Sequence, residues 1–152
     1  MRESRQTVEK IAKDSSNLER YEDPSFSPAV KKGRKARVLV IDDEPYIREV
    51  LSMILAKGEH QVTLAESGEE GLRIFRENEF DLVLTDLGMP KISGWEVCHA
   101  IKKTKPQTPV GMITGWGTIV DQARMEASGV DFVICKPFDL YIVLNKVAEF
   151  VS

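Results

Sequence analysis

The chain has 152 residues, 42% of them hydrophobic, 30% charged and only 7% aromatic, which suits one buried core rather than two and excludes a disordered or fibrous polypeptide. Its formal net charge is −3, and Arg2, Glu3 and Arg5 stand where a secretory signal needs apolar side chains; with no apolar run near the roughly 18 residues of a membrane span, a cytoplasmic protein without membrane attachment is expected. Residues 1–36 hold 9 Lys/Arg against 6 Asp/Glu while the remainder holds 12 against 18, and an acidic folded part argues against direct nucleic-acid binding.

Residues 1–36 read as an N-terminal extension or linker. Val8, Ile11, Ala12 and Leu18 could line a weakly amphipathic helix, but so few apolar positions hold a short helix poorly. Tyr21 to Pro28 is turn composition, and the basic run Lys31 to Arg37 reads as a solvated linker. From Arg37 onward short apolar runs alternate with helical patterns, the signature of a parallel sheet. Strands are expected at Val38–Ile41, Gln61–Ala65, Leu82–Leu84, Pro109–Ile113 and Val130–Cys135; the first and third are continuously apolar and the fifth is so apart from Asp131, as strands covered on both faces require. Helices are expected at about Pro45–Ala56, Gly68–Glu77, Gly94–Lys103, Ile119–Ala127 and Leu140–Phe150. Pro45 suits a first turn, Ser67 with Glu70 spells a capping box, Ser93 can cap the third helix, and Gly58 and Gly129 are helix stops. Five βα units with right-handed crossovers give an α/β fold, an open doubly wound five-stranded parallel sheet over residues 37–152. Cys98 and Cys135 lack ligand spacing and are expected to be buried thiols. His60 and His99 read as surface or helix residues without the company a catalytic base requires.

Sites in such sheets form outside the carboxyl ends of the strands. Asp42, Asp43 and Glu44 follow the first strand, Asp86 the third, Thr114 the fourth, and Lys136 with Pro137 the fifth. Clustered carboxylates repel, and a hard cation resolves the conflict. Mg2+ takes oxygen ligands and keeps several waters, so Asp43 and Asp86 are expected to bind it directly, Asp42 through water, and the Gly88 backbone carbonyl to add an oxygen. An Asp carboxylate can act as nucleophile toward phosphorus; on that reading Asp86 is the phosphoacceptor, with Lys136 placing a point charge and Thr114 a hydrogen bond on the transferred group. Gly115 would allow close approach, and Lys136-Pro137 is a candidate cis bond.

The stretches Val38 to Glu44, Asp86 to Gly94, Ile113 to Gly115 and Lys136 to Phe138 together resemble the four signature blocks of response regulator receiver domains, the CheY-like proteins of two-component signal transduction. The resemblance spans about residues 36–152. It implies a flavodoxin-like fold, Mg2+ dependence, transfer of phosphate to Asp86 from a histidine kinase or histidine phosphotransfer protein, slow self-catalysed dephosphorylation, and output by protein contact or phosphorelay through the fourth helix, fifth strand and fifth helix. Receivers often carry an aromatic residue three positions before the lysine. Here that position is Val133, with Phe132 on the other face by strand alternation, so output is expected to use the Thr114 loop and the fourth helix instead. Trp116 and Gly88 match positions that flank the attacking water, and the indole is expected to tune dephosphorylation.

Two rival functions are weaker. A haloacid-dehalogenase type phosphatase places a second Asp two residues after the nucleophile, where this chain has Gly88; a phosphate-independent docking module has no use for the intact acids, Thr114 and Lys136. No output pattern follows the fifth helix, which leaves a stand-alone regulator or the receiver portion of a hybrid kinase; the spellings Leu87 to Pro90 and Thr114 to Gly117 resemble receivers attached to sensor kinases.

Overall fold

The computed structural model describes residues 33–115 and 121–151. The expectations for the N-terminal helix, for most of the linker, for Trp116 and for a fourth helix starting at Ile119 lie outside those residues. Five strands, β1 (Arg37–Ile41), β2 (Gln61–Ala65), β3 (Leu82–Asp86), β4 (Val110–Thr114) and β5 (Phe132–Cys135), alternate with five helices, α1 (Pro45–Lys57), α2 (Gly68–Glu77), α3 (Gly94–Thr104), α4 (Gln122–Ser128) and α5 (Leu140–Phe150). All strand pairs are parallel, in the order β2-β1-β3-β4-β5, the flavodoxin-like doubly wound sheet.

The central strands are largely apolar because helices cover both faces: every residue of β3 and β4 is buried, with the polar Thr85, Asp86 and Thr114 confined to their carboxyl ends. On one face Leu39, Ile41, Val83, Val110 and Met112 pack with Leu72 and Phe75 of α2 and Val97, Cys98 and Ile101 of α3. On the other, α1 lies against α5, and the Phe132 ring stacks on Phe150 with centroids 4.7 Å apart. Val133 instead packs with the first cluster, the alternation expected for a strand.

Helix starts follow local chemistry. Ser67 accepts from the Glu70 amide at 3.1 Å, but the Glu70 carboxylate takes the Glu66 amide at 2.7 Å, so the reciprocal capping box expected there is not formed. It is formed at α3, where Ser93 Oγ accepts from Glu96 N and Glu96 Oε1 accepts from Ser93 N. Gly129 ends α4 with φ of 83°, a left-handed residue at the position that favours glycine. Gly58 caps α1 with an ordinary negative φ, and Glu59 takes the left-handed conformation instead.

At the amino end of β3, Asp81 ties that strand to the start of its neighbour β1. Its carboxylate accepts from Arg37 N at 2.8 Å, Arg37 Nε at 3.1 Å and Arg34 Nη2 at 3.1 Å. The Arg37 hydrogen bond is the main reason its pKa falls well below the usual carboxylate range. Among the described residues no helix is long and apolar enough to cross a membrane. His60 is not the surface residue expected: half-buried, its Nδ1 accepts from Ala36 N at 3.0 Å, and burial depresses its pKa.

Candidate functional site

Backbone pairing brings the strand ends to one rim. Asp42 N donates to Ala65 O at 3.1 Å, Leu87 N to Ile113 O at 2.9 Å, and Lys136 N to Thr114 O at 2.8 Å, so the residues beginning each following loop emerge side by side. Gly94 brings the start of α3 against the end of β3: its N–H donates to Leu87 O at 2.8 Å, and a Cβ there would collide with the Asp86 carbonyl oxygen and Met112 Sδ. Only glycine allows that approach. The Lys136-Pro137 bond is cis, as the sequence suggested.

Carboxylate oxygens of Asp42, Asp43 and Asp86 lie within 4.8 Å of one another. Asp42 is fully buried and Asp86 nearly so, while Asp43 is exposed. The ammonium of Lys136 sits 3.8 Å from Asp86 Oδ1 and 3.2 Å from Glu44 Oε1. Burial, then the charges of Asp42 and Asp43, push Asp86 up to about 6 against the opposing pull of Lys136. Burial also raises Asp42, although the Glu44 amide, 2.8 Å from its Oδ1, opposes this. For Lys136, partial burial works against the charge, but Asp86, Glu44 and Asp42 outweigh it and the pKa rises.

Asp42 Oδ2 is buried and has no hydrogen-bond partner. A buried, unpaired carboxylate oxygen is costly, and three converging carboxylates form the oxygen donor set that suits Mg2+, Ca2+ or Mn2+ rather than softer ions. The residues therefore fit a hard divalent cation. The Gly88 position is exposed, with open space where a side chain would stand, which leaves access to Asp86 from that side.

Thr114 is in the expected place at the end of β4, fully buried, but its hydroxyl donates to Cys135 Sγ at 3.6 Å rather than pointing free into the acidic cluster. Cys135 is exposed, contrary to the expectation of two buried thiols. It ends β5, which is an edge strand among the described residues. Cys98 is buried as expected, and burial pushes its thiol up to about 11. Sequence reasoning missed three contacts. Glu44 holds Lys136, a pairing across 92 positions that only its place in the Asp-Asp-Glu run could have suggested. Arg48 anchors the Asp42 carbonyl at 2.7 Å, one turn into α1. Arg124 of α4 lies over the Trp95 ring of α3 at 5.3 Å.

Residues 38–148 match the sequence profile of the response regulator receiver domain. The transcriptional regulatory protein GlrR of Escherichia coli is 35% identical over 119 residues, covering 76% of this chain and 27% of that protein. The transcriptional regulatory protein ResD of Bacillus subtilis is 38% identical over 113 residues, 74% of this chain and 47% of that protein. The chain thus spans less than half the length of either regulator. Among solved structures, the response regulator TrrA of Thermotoga maritima in complex with Mg2+-BeF superposes with a TM-score of 0.71 at 34% identity, over 78% of this chain and all of that one. The chemotaxis protein CheY4 of Vibrio cholerae gives a TM-score of 0.73 at 26% identity, with 78% and 100% covered.

Proposed function

This chain belongs to the response regulator receiver domain family of two-component signalling, and we propose that it accepts a phosphoryl group on Asp86 from a histidine kinase or histidine phosphotransfer protein and signals through the resulting change of shape. In this reading residues 37–152 form the receiver and residues 1–36 an extension to it. The observation that carries the reading is the convergence of the Asp42, Asp43 and Asp86 carboxylates within 4.8 Å, with the Lys136 amine 3.8 Å from Asp86.

In the transfer step a lone pair of an Asp86 carboxylate oxygen forms a bond to phosphorus, while the bond from phosphorus to the donor's nitrogen, or to the acyl oxygen of a small donor, breaks and its electron pair leaves with the donor. Asp86 must be ionised to attack. A pKa near 6 keeps it mostly so at neutral pH and gives it more basicity than an ordinary carboxylate. Lys136 answers the new charge from close range, and the Thr114 hydroxyl, at the end of β4 beside β3, would donate to a phosphoryl oxygen once it leaves Cys135. Asp43 and Asp86 would hold Mg2+ directly, Asp42 through water and Gly88 by its carbonyl, and the bound ion would neutralise carboxylate and phosphoryl charge. The complex of TrrA with Mg2+-BeF supports magnesium as the ion. Hydrolysis resets the domain: water forms a new bond to phosphorus and gives up a proton, and the Asp86 carboxylate departs with the electron pair.

Signalling by protein contact or phosphorelay fits the acidic charge of residues 37–152, although GlrR and ResD are named as transcriptional regulators. A phosphate-independent docking role is not favoured, because a buried, unpartnered Asp42 oxygen is a cost that docking alone does not offset. The test is incubation with Mg2+ and acetyl phosphate, followed by intact mass. Addition of one phosphoryl group to the parent, and none to Asp86→Asn or to the parent in excess chelator, is expected; equal addition to the variant refutes the assignment.

A further inference from the structure

β4 and β5 end side by side with Thr114 in register with Cys135. The Thr114 side chain is fully buried, and its hydroxyl donates to Cys135 Sγ at 3.6 Å, a reach that the large sulfur atom permits. Cys135 is exposed and immediately precedes Lys136. The hydroxyl and the amine required by the phosphoacceptor reading are thus joined through one residue that the reading does not use. Resting on that reading, we propose that Cys135 is a positioning residue, whose sulfur holds the Thr114 hydroxyl toward β5 in the resting protein and releases it when a phosphoryl oxygen on Asp86 becomes available.

The relative strength of the two acceptors sets the direction of the exchange. A thiol sulfur is a weak acceptor, whereas hydrogen bonds to an ionised oxygen are roughly twice as strong as neutral ones. In the resting protein Lys136 N donates to Thr114 O at 2.8 Å, and the hand-over itself is a turn about the Thr114 Cα–Cβ bond between staggered wells. Position 133, on the same face of β5 two residues before Cys135, is a valine packed into the core. It has no ring to follow the threonine, so the atom that registers where the hydroxyl points is the Cys135 sulfur.

Cys135→Ala removes the acceptor while leaving Asp86, Lys136 and the acidic cluster untouched. The affinity for beryllofluoride in the presence of Mg2+, measured by calorimetry, reports the equilibrium between the two hydroxyl positions without requiring turnover. Loss of a weak resting-state hydrogen bond is expected to tighten binding about two- to fivefold. In a Thr114→Val background the same substitution is expected to change nothing, because the hydroxyl through which it acts is gone. Equal affinity of Cys135→Ala and the parent overturns the proposal, and so does an effect of equal size in both backgrounds, which marks mere repacking. No binding of beryllofluoride by the parent overturns the phosphoacceptor reading and this inference with it, whereas binding by the parent with no coupling between the two residues overturns the inference alone.

Discussion

Asp86→Asn should make the cation-free domain more stable at neutral pH, because the carboxylate that serves phosphoryl transfer is a burden on the fold. Burial and the neighbouring acids lift Asp86 from an ordinary 3.8 to about 6. Each pKa unit corresponds to about 1.36 kcal/mol, so an ionised Asp86 costs the folded state about 3 kcal/mol. The folded pKa lies above the unfolded one, so the folded state holds the proton more tightly. Stability falls as pH rises from the ordinary carboxylate value through about 6, and is level beyond. Asn has nearly the same shape and no charge. Urea unfolding in excess chelator should therefore show the variant gaining up to about 3 kcal/mol at about pH 7.5, little at about pH 4, and an unchanged m-value throughout. Added Mg2+ should recover much of the difference by stabilising the parent more than the variant. A variant no more stable than the parent at neutral pH, or a gain of the same size at acid pH, would refute the reasoning.

Other perturbations act on separate parts of the account. Asp42→Asn keeps the Glu44 amide bond within reach but weakens the acidic cluster, and calorimetric Mg2+ affinity should fall tenfold or more, on the order seen when groups supporting a metal site are removed. Asp81→Asn breaks the clamp on Arg34 and Arg37 and should cost about 1–2 kcal/mol, since the arginines are about half exposed. Its native pKa is depressed, so the clamp's contribution is present above the ordinary carboxylate value and is lost as pH falls through the native one; parent and variant should converge in acid denaturation. Gly94→Ala forces a methyl group into the Asp86 carbonyl and Met112 and should cost about 1–3 kcal/mol or more, with lowered Mg2+ affinity, by urea unfolding and calorimetry. Lys91→Gly relieves a non-glycine residue with φ of 69° and should gain roughly 0.5–1 kcal/mol in the same unfolding assay.

Where the physics is local, the sequence was explicit. The bounds of α2 and β2 were readable to the residue, since Ser67 caps the helix and β2 ends at Ala65, just before the Glu66-Ser67 turn that leads into it. The rim was legible too, because the loop residues after parallel strands must emerge on one side, whatever the helices do. α4 was harder. Ser128 is its one buried residue, so it shows no apolar period, and its contacts with α3 include Arg124 over the Trp95 ring and Cys98 Sγ donating to Ser128 O, neither of which has a signature in the segments themselves. The exposure of Cys135 was illegible for a related reason: it depends on β5 being the sheet edge, a property of strand order rather than of the strand's own apolar composition. Glu70 shows the limit of motif spelling, since the same Ser-x-x-Glu pattern closed a box at Ser93 but turned outward to the Glu66 amide at Ser67.

The central claim is that one carboxylate, Asp86, carries the phosphoryl group, and peptide mapping of the phosphorylated chain tests it most directly. After reaction with acetyl phosphate and Mg2+, borohydride reduction of the acyl phosphate should convert residue 86, and no other acid, to homoserine. Conversion at Asp43, Glu44 or any acid outside the rim, with Asp86 intact, would contradict the account.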